Sequence, residues 1–203
     1  MRRIIFATGN QGKMREIRKI LENMKIGGEE TEILSMKEAG INADIVENGK
    51  SFAENAVIKA RAVSLKVEDA IVLADDSGLE IDYLNGEPGI YSARYMGEDT
   101  SYRIKNANLI ERLNGVEDEK RTARFVCAIA AALPGGNIIT ETGTIEGRIG
   151  YEERGDNGFG YDPIFYVPDY GKTTAELSED EKNEISHRGK ALRAIRKRLE
   201  ENI

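Results

Sequence analysis

The feature that most constrains this chain is a change of period within its first two dozen residues. Residues 2–7 (RRIIFA) form an apolar run too short for a helix, and the run stops at Thr8-Gly9-Asn10. Met14, Ile17, Ile20, Leu21 and Met24 then recur at helical spacing. A buried strand, a glycine-containing turn and a helix, in that order, open an α/β fold.

The alternation continues downstream. Ser51 and Glu54 have capping-box spacing ahead of the stripe Ala53, Ala56, Val57, Ala60 and Val63, which predicts a helix. Residues 70–74 (AIVLA) read as a second buried strand ending in acids, and Leu79, Ile81 and Tyr83 before Asn85-Gly86 read as a further strand and turn. Ile104, Ala107, Leu109, Ile110 and Leu113 mark a helix stopped by Gly115. In the second half, residues 122–133 and 138–149 flank Pro134-Gly135-Gly136-Asn137 and predict a hairpin of two long antiparallel strands. A glycine-rich loop at 155–160, a short strand at 164–167 and a last helix turning Ala191, Leu192, Ile195 and Leu199 inward complete the pattern. The fold class is therefore α/β, with a mixed, twisted sheet flanked by helices. No repeat or linker divides the chain, so 1–203 reads as one domain, with 36–50 a mixed stretch long enough for an excursion or a small lobe boundary.

Charge and cysteine content narrow the function. The 36 acidic and 29 basic side chains leave a net charge of −7, which argues against nucleic-acid or anionic-membrane partners. The longest apolar run, Phe125 to Leu133, is far below the roughly 20 residues that span a bilayer. A single cysteine, Cys127, allows no intrachain disulfide and suits the cytoplasm; its apolar neighbours predict packing rather than nucleophilic chemistry.

Three segments could carry chemistry. Thr8-Gly9-Asn10-Gln11-Gly12-Lys13 sets glycines, an amide and a lysine between a strand end and a helix start, where backbone N–H groups favour a phosphate. It is not a Walker A loop, because no glycine stands five residues before Gly12-Lys13 and Met14 follows it. Asp75-Asp76-Ser77-Gly78 reads as a turn at a strand's carboxyl end, where open α/β sheets bind ligands. Successive side chains there cannot point the same way, so one aspartate is a candidate metal ligand or base and the other a turn former. Toward the C-terminus, Phe159-Gly160-Tyr161-Asp162, Lys182 and Ser186-His187-Arg188 combine aromatic faces with cationic and donor groups.

Taken together, TGNQGK (8–13), SFAENAVIKARA (51–62), ADDSGL (74–79), GIYSARY (89–95), FGYDPIF (159–165) and EKNEISHRGKA (181–191) resemble the inosine/xanthosine triphosphate pyrophosphatases. The resemblance implies hydrolysis of non-standard purine nucleoside triphosphates (ITP, dITP, XTP) to the monophosphate and pyrophosphate. It also implies an elongated, two-lobed domain with a central cleft, dependence on Mg2+, and a homodimer. Carried over by position, Thr8, Gly9, Asn10, Gln11, Gly12 and Lys13 match the triphosphate loop. Glu47 and Asp76 match the metal ligands, Asp76 also the proton acceptor, and Ser77 a substrate contact. Phe159, Gly160, Tyr161 and Asp162 match the base-binding loop, and Lys182, His187 and Arg188 the remaining substrate contacts. Phe159 and Tyr161 are expected to stack on the base, and His187 and Arg188 to donate to its 6-oxygen. Lys59 is expected to face the phosphates, whereas Asp75 and Arg94 receive no direct role.

Other readings remain for comparison. A serine hydrolase using Ser77 and His187 lacks the nucleophile elbow, since Asp75 stands where its first glycine belongs. A non-catalytic nucleotide sensor would keep the binding groups but release no pyrophosphate. A pyrimidine-directed or general nucleotide pyrophosphatase would share the phosphate chemistry and differ in the base pocket.

Overall fold

The computed structural model describes residues 1–202. The strands are β1 (Arg2–Phe6), β2 (Lys25–Ile26), β3 (Glu29–Ser35), β4 (Ile71–Ile81), β5 (Thr122–Ala132), β6 (Ile138–Ile149), β7 (Phe165–Val167) and β8 (Lys172–Thr173). The helices are α1 (Gln11–Ile20), α2 (Phe52–Ser64), α3 (Tyr102–Arg112), α4 (Glu179–Ile185) and α5 (His187–Asn202). The strands order as β2-β3-β1-β4-β5-β6-β7-β8. β1 runs parallel to β3 and β4, while β2–β3, β6–β7 and β7–β8 are antiparallel, so the sheet is mixed as the sequence predicts.

The backbone groups into two units. The first comprises Met1–Asp76, Cys127–Gly143 and Arg188–Ile203, and the second Ser77–Val126 and Thr144–His187. In the first, Ile4 and Phe6 of β1, Ile71 and Leu73 of β4, and Cys127, Ile129 and Ala131 of β5 form one cluster, each set spaced by two. Period two puts them on one face of the sheet. Met14, Ile17 and Leu21 from the first helical stripe, and Ala191, Leu192, Ile195 and Leu199 of α5, complete the cluster. The intervening Ile5, Val72 and Ala74 are buried too, as strands of a parallel sheet covered on both faces require. Burial pushes the Cys127 thiol up to about 12, which makes it inert packing.

The second unit closes over Leu79 and Ile81 of β4, Leu109 and Leu113 of α3, Phe125 of β5, Ile145 and Ile149 of β6, and Tyr161, Ile164 and Phe165. Arg121 is buried beside this core and satisfies three carbonyls, donating to Leu113 at 2.7 Å, Ile149 at 2.9 Å and Gly150 at 2.8 Å. It thereby fixes the end of α3 against the end of β6. No helix among the described residues is long and apolar enough to cross a membrane.

Two local readings change. Residues 70–74 and 79–83 are predicted as separate strands with a turn at Asp75–Gly78, but β4 runs unbroken from Ile71 to Ile81. The aspartates interrupt the apolar pattern without breaking the strand, because side chains from other elements neutralise them. The sequence also leaves β3 unrecognised: its three glutamates mask it, and it is fixed by register with β1, from Arg2 opposite Thr31 to Phe6 opposite Ser35.

Candidate active site

The phosphate-type loop is built by its own cap. Asn10 lies in extended conformation ahead of α1 and accepts from the Lys13 N–H at 3.1 Å, while its own N–H donates to Thr8 Oγ1 at 3.1 Å. This holds Thr8–Gly12 at the positive end of the helix, whose first-turn N–H groups have no partner inside it. Thr8 and Gly12 are half-buried, and Gly9, Asn10 and Gln11 are exposed. Lys13, on the first turn of α1, turns back to Asp75 Oδ2 at 2.8 Å.

Asp75 and Asp76 diverge, as extended backbone demands. Asp75 is 1% exposed, lying 2.8 Å from Lys13 and 3.6 Å from Arg188, whose guanidinium also binds Glu16 at 2.6 Å. Burial acts to raise the Asp75 pKa, but the charges of Lys13, Arg188 and Lys59 overcome it and hold the carboxyl well below the usual range. Asp75 is therefore an ionised strut within a cation–anion chain rather than a turn former.

Asp76 faces a different set of groups. Its Oδ2 accepts from Asn55 Nδ2 at 3.0 Å, and its Oδ1 lies 3.8 Å from Lys59 Nζ, which also meets Glu47 Oε2 at 3.1 Å. Burial raises the Asp76 pKa; Lys59 and the Asn55 hydrogen bond oppose the rise, and the Glu47 charge reinforces it. Burial acts to lower the Lys59 pKa, but Asp75, Asp76 and Glu47 outweigh it and the net shift is upward. Asn55, fully buried on α2, accepts the Gly49 N–H at 2.8 Å through its oxygen while its nitrogen serves Asp76. One amide thus ties the Glu47 loop to Asp76. Asn55 and Glu16 are polar residues inside otherwise apolar helical stripes, and that was the available sequence signal for both.

The second unit gathers Ser77, Phe159–Asp162, Lys182 and His187. Ser77 is half-buried on β4. Asp162 is buried and accepts from the Phe159 N–H at 2.9 Å, Lys182 Nζ at 2.7 Å and Thr174 Oγ1 at 2.8 Å. It pins the loop from within. Gly158 has φ +74°, and a Cβ there would lie 2.2 Å from Asp162 Oδ2, so only glycine lets the chain pass.

The two rings of this loop part company. Phe159 is half-buried, with Lys182 Nζ 4.9 Å from its ring centroid. Tyr161 is a core residue, edge-on to Tyr102 at 5.1 Å, and its hydroxyl donates to the Ser92 carbonyl at 2.5 Å. Its ring is committed to the interior, contrary to the expectation that it stacks on a ligand. His187 stacks on Phe125 at 4.8 Å with 17° between planes. Arg188, expected to donate to the base, is 2% exposed and pairs with Glu16 and Asp75 in the first unit. Arg94 lies 5.2 Å from the Tyr91 centroid, outside both groups.

A cavity of about 360 Å³ in the second unit, lined by Asp118, Arg148, Tyr151, Arg154 and Tyr166 among others, contains none of the residues predicted for the site. Arg148 and Arg154 are paired there with Asp118 and Glu152.

A mixed α/β sheet with a capped strand–loop–helix turn at Thr8–Lys13 and two diverging carboxylates on one strand sets the class of protein. The chain belongs to the Ham1 family, whose model matches residues 4–198. It is 48% identical over 200 residues to a dITP/XTP pyrophosphatase of Bacillus subtilis (strain 168), with 98% of each chain covered. A dITP/XTP pyrophosphatase of Caldanaerobacter subterraneus subsp. tengcongensis is also 48% identical, over 206 residues and 100% of both chains. The solved Staphylococcus aureus Ham1 protein matches with a TM-score of 0.86 at 39% identity, over 100% of each chain.

Proposed function

We propose that this chain hydrolyses non-standard purine nucleoside triphosphates, dITP, ITP and XTP, to the monophosphate and pyrophosphate. The observation that carries the reading is the division of labour between Asp75 and Asp76. One is surrounded by cations, and its neighbour shares a single ammonium, Lys59, with a second carboxylate, Glu47. That is the environment of a proton acceptor. The full-length likeness to dITP/XTP pyrophosphatases supports the substrate class.

Glu47 and Asp76 fit a hard divalent cation. They are two carboxylates gathered on one positive charge, Lys59, and two is the usual protein contribution to Mg2+ beside substrate phosphates. No cluster of three or more His, Cys, Asp or Glu suited to a metal occurs among the described residues. Bound there, Mg2+ supplies charge neutralisation to the phosphates and acidity to water. Thr8–Lys13 holds the phosphate chain through backbone N–H groups and the Lys13 ammonium. Asp76 takes the proton from the attacking water, whose oxygen adds to the α-phosphorus as the bond to the bridging oxygen breaks and pyrophosphate leaves. Phe159 offers a face to the base, and the Asp162–Lys182 pair keeps that loop in place. A homodimer and a cytoplasmic location complete the proposal; the buried lone thiol of Cys127 is compatible with a reducing compartment.

Hydrolysis of ITP in 18O-labelled water tests the reading. The label is expected in the monophosphate, with pyrophosphate unlabelled. Primary release of orthophosphate, or label in pyrophosphate, overturns attack at the α-phosphorus.

A further inference from the structure

The loop Phe159–Asp162 is held at one end by Asp162, but that pair leaves Gly160 to be fixed from elsewhere. Asn106 of α3 supplies the hold. It is 1% exposed, and its Nδ2 donates to the Gly160 carbonyl at 3.3 Å and to Glu153 Oε1 at 2.8 Å. Both partners are acceptors, so the amide nitrogen must face them and the side chain has one orientation. One helical turn earlier, Tyr102 lays its ring against the same glycine: a Cβ on Gly160, at φ +68°, would lie 3.6 Å from Tyr102 Cε1. The same ring meets Tyr161 edge-on. Lys105 between them donates to the Ala93 carbonyl at 2.7 Å, next to the Ser92 carbonyl that receives the Tyr161 hydroxyl. One face of α3 therefore touches the backbone of residue 160 and the ring of residue 161, the two residues that follow Phe159.

We infer that Asn106 is a positioning residue for nucleobase recognition: it fixes the Gly160 carbonyl and thereby the direction in which the Phe159 ring is presented. The inference rests on reading Phe159–Asp162 as the base loop. Removing the donor takes from the Gly160 carbonyl the hydrogen bond of Asn106 and leaves the Tyr102 ring beside the glycine. Thr8–Lys13, proposed above for the phosphates, supply neither partner of the Asn106 amide nitrogen.

The experiment is Asn106→Leu, which keeps the side-chain size and removes both hydrogen bonds. Measured with Mg2+ present, KM for ITP is expected to rise at least about five-fold, the lower range for an unmet buried hydrogen bond. The inhibition constant of inorganic pyrophosphate, which probes the phosphate site alone, is expected to stay unchanged. Phe159→Ala serves as reference. If Phe159→Ala raises KM for ITP and Asn106→Leu leaves it at the parent value, the inference fails and the base-loop reading stands. If neither variant moves KM, the base-loop reading itself falls and takes the inference with it. Equal weakening of ITP and pyrophosphate in Asn106→Leu would show a general loss of structure and also overturn the inference. Should Asn106→Leu not fold, Tyr102→Leu removes the ring from the partly exposed side of the same buttress, with the same expected split between ITP and pyrophosphate and the same overturning results.

Discussion

Arg188 meets Glu16 at 2.6 Å, joining the start of α5 to the first helix across 172 residues of sequence. The same guanidinium reaches Asp75 at 3.6 Å, and Asp75 in turn binds Lys13, so four charges alternate in a row that runs from buried Glu16 to half-buried Lys13. Arg188 is the central member of this row, and its removal takes charge compensation from two buried carboxylates at once.

Arg188→Ala is accordingly expected to destabilise the fold by about 3–5 kcal/mol, the usual result of breaking a buried ion pair from one side. Urea unfolding at neutral pH measures it. A loss confined to ITP turnover with unchanged stability would place Arg188 on the ligand instead.

The acid limb of stability is expected to report Asp75. Its native pKa lies below the ordinary value of 3.8, so the unfolded chain takes up the proton first as pH falls. Its stabilisation is present in full above about pH 4 and is lost as pH drops toward the native pKa. Melting curves of Asp75→Asn should start from a lower stability at pH 7 and decline less steeply below pH 4 than those of the parent.

Asp76 carries the opposite sign. Its native pKa is raised, so its ionised form works against folding at neutral pH, and Asp76→Asn is expected to be at least as stable as the parent at pH 7. Its turnover of ITP is expected to fall by roughly 10²–10⁴-fold, the range for a missing general base. An unstable but active variant would reverse the assignment of the two aspartates.

Gly158→Ala tests the base loop from its other end. The added methyl would meet Asp162 Oδ2 at 2.2 Å, in a conformation that L residues rarely adopt. KM for ITP is expected to rise while inhibition by pyrophosphate stays as in the parent, a split that steady-state kinetics resolves.

Much of this was legible in the linear sequence, and what was not has a common cause. The period of Met14, Ile17 and Leu21 and the turn at Pro134–Asn137 are local signals, and both survive in the structure. The continuity of β4 through Asp75 and Asp76 is not local: it depends on Lys13, Lys59, Asn55 and Arg188, which come from three helices. The pairing of Arg188 with Glu16 is not local either, since nothing near Arg188 in sequence announces Glu16. Helix α4 was missed although Ser178 and Glu181 form a complete capping box, a signal of the same kind that located α2.

The adjacency of Asp75 and Asp76 on one strand makes chain length a functional variable in its own right. β4 is locked to β1 from Ile4 opposite Ile71 to Phe6 opposite Leu73. Deletion of Ala74 would put Asp76 in the place of Asp75, among the partners of the ion row, and would set Asp75 one position short of its own place and on the opposite face, since strand side chains exchange faces at every step. Such a protein would keep its net charge, but Leu79 and Ile81, farther along the same strand, would leave the core of the second unit together with the displaced carboxylates. Few substitutions in this strand could do as much damage as the loss of one residue from it.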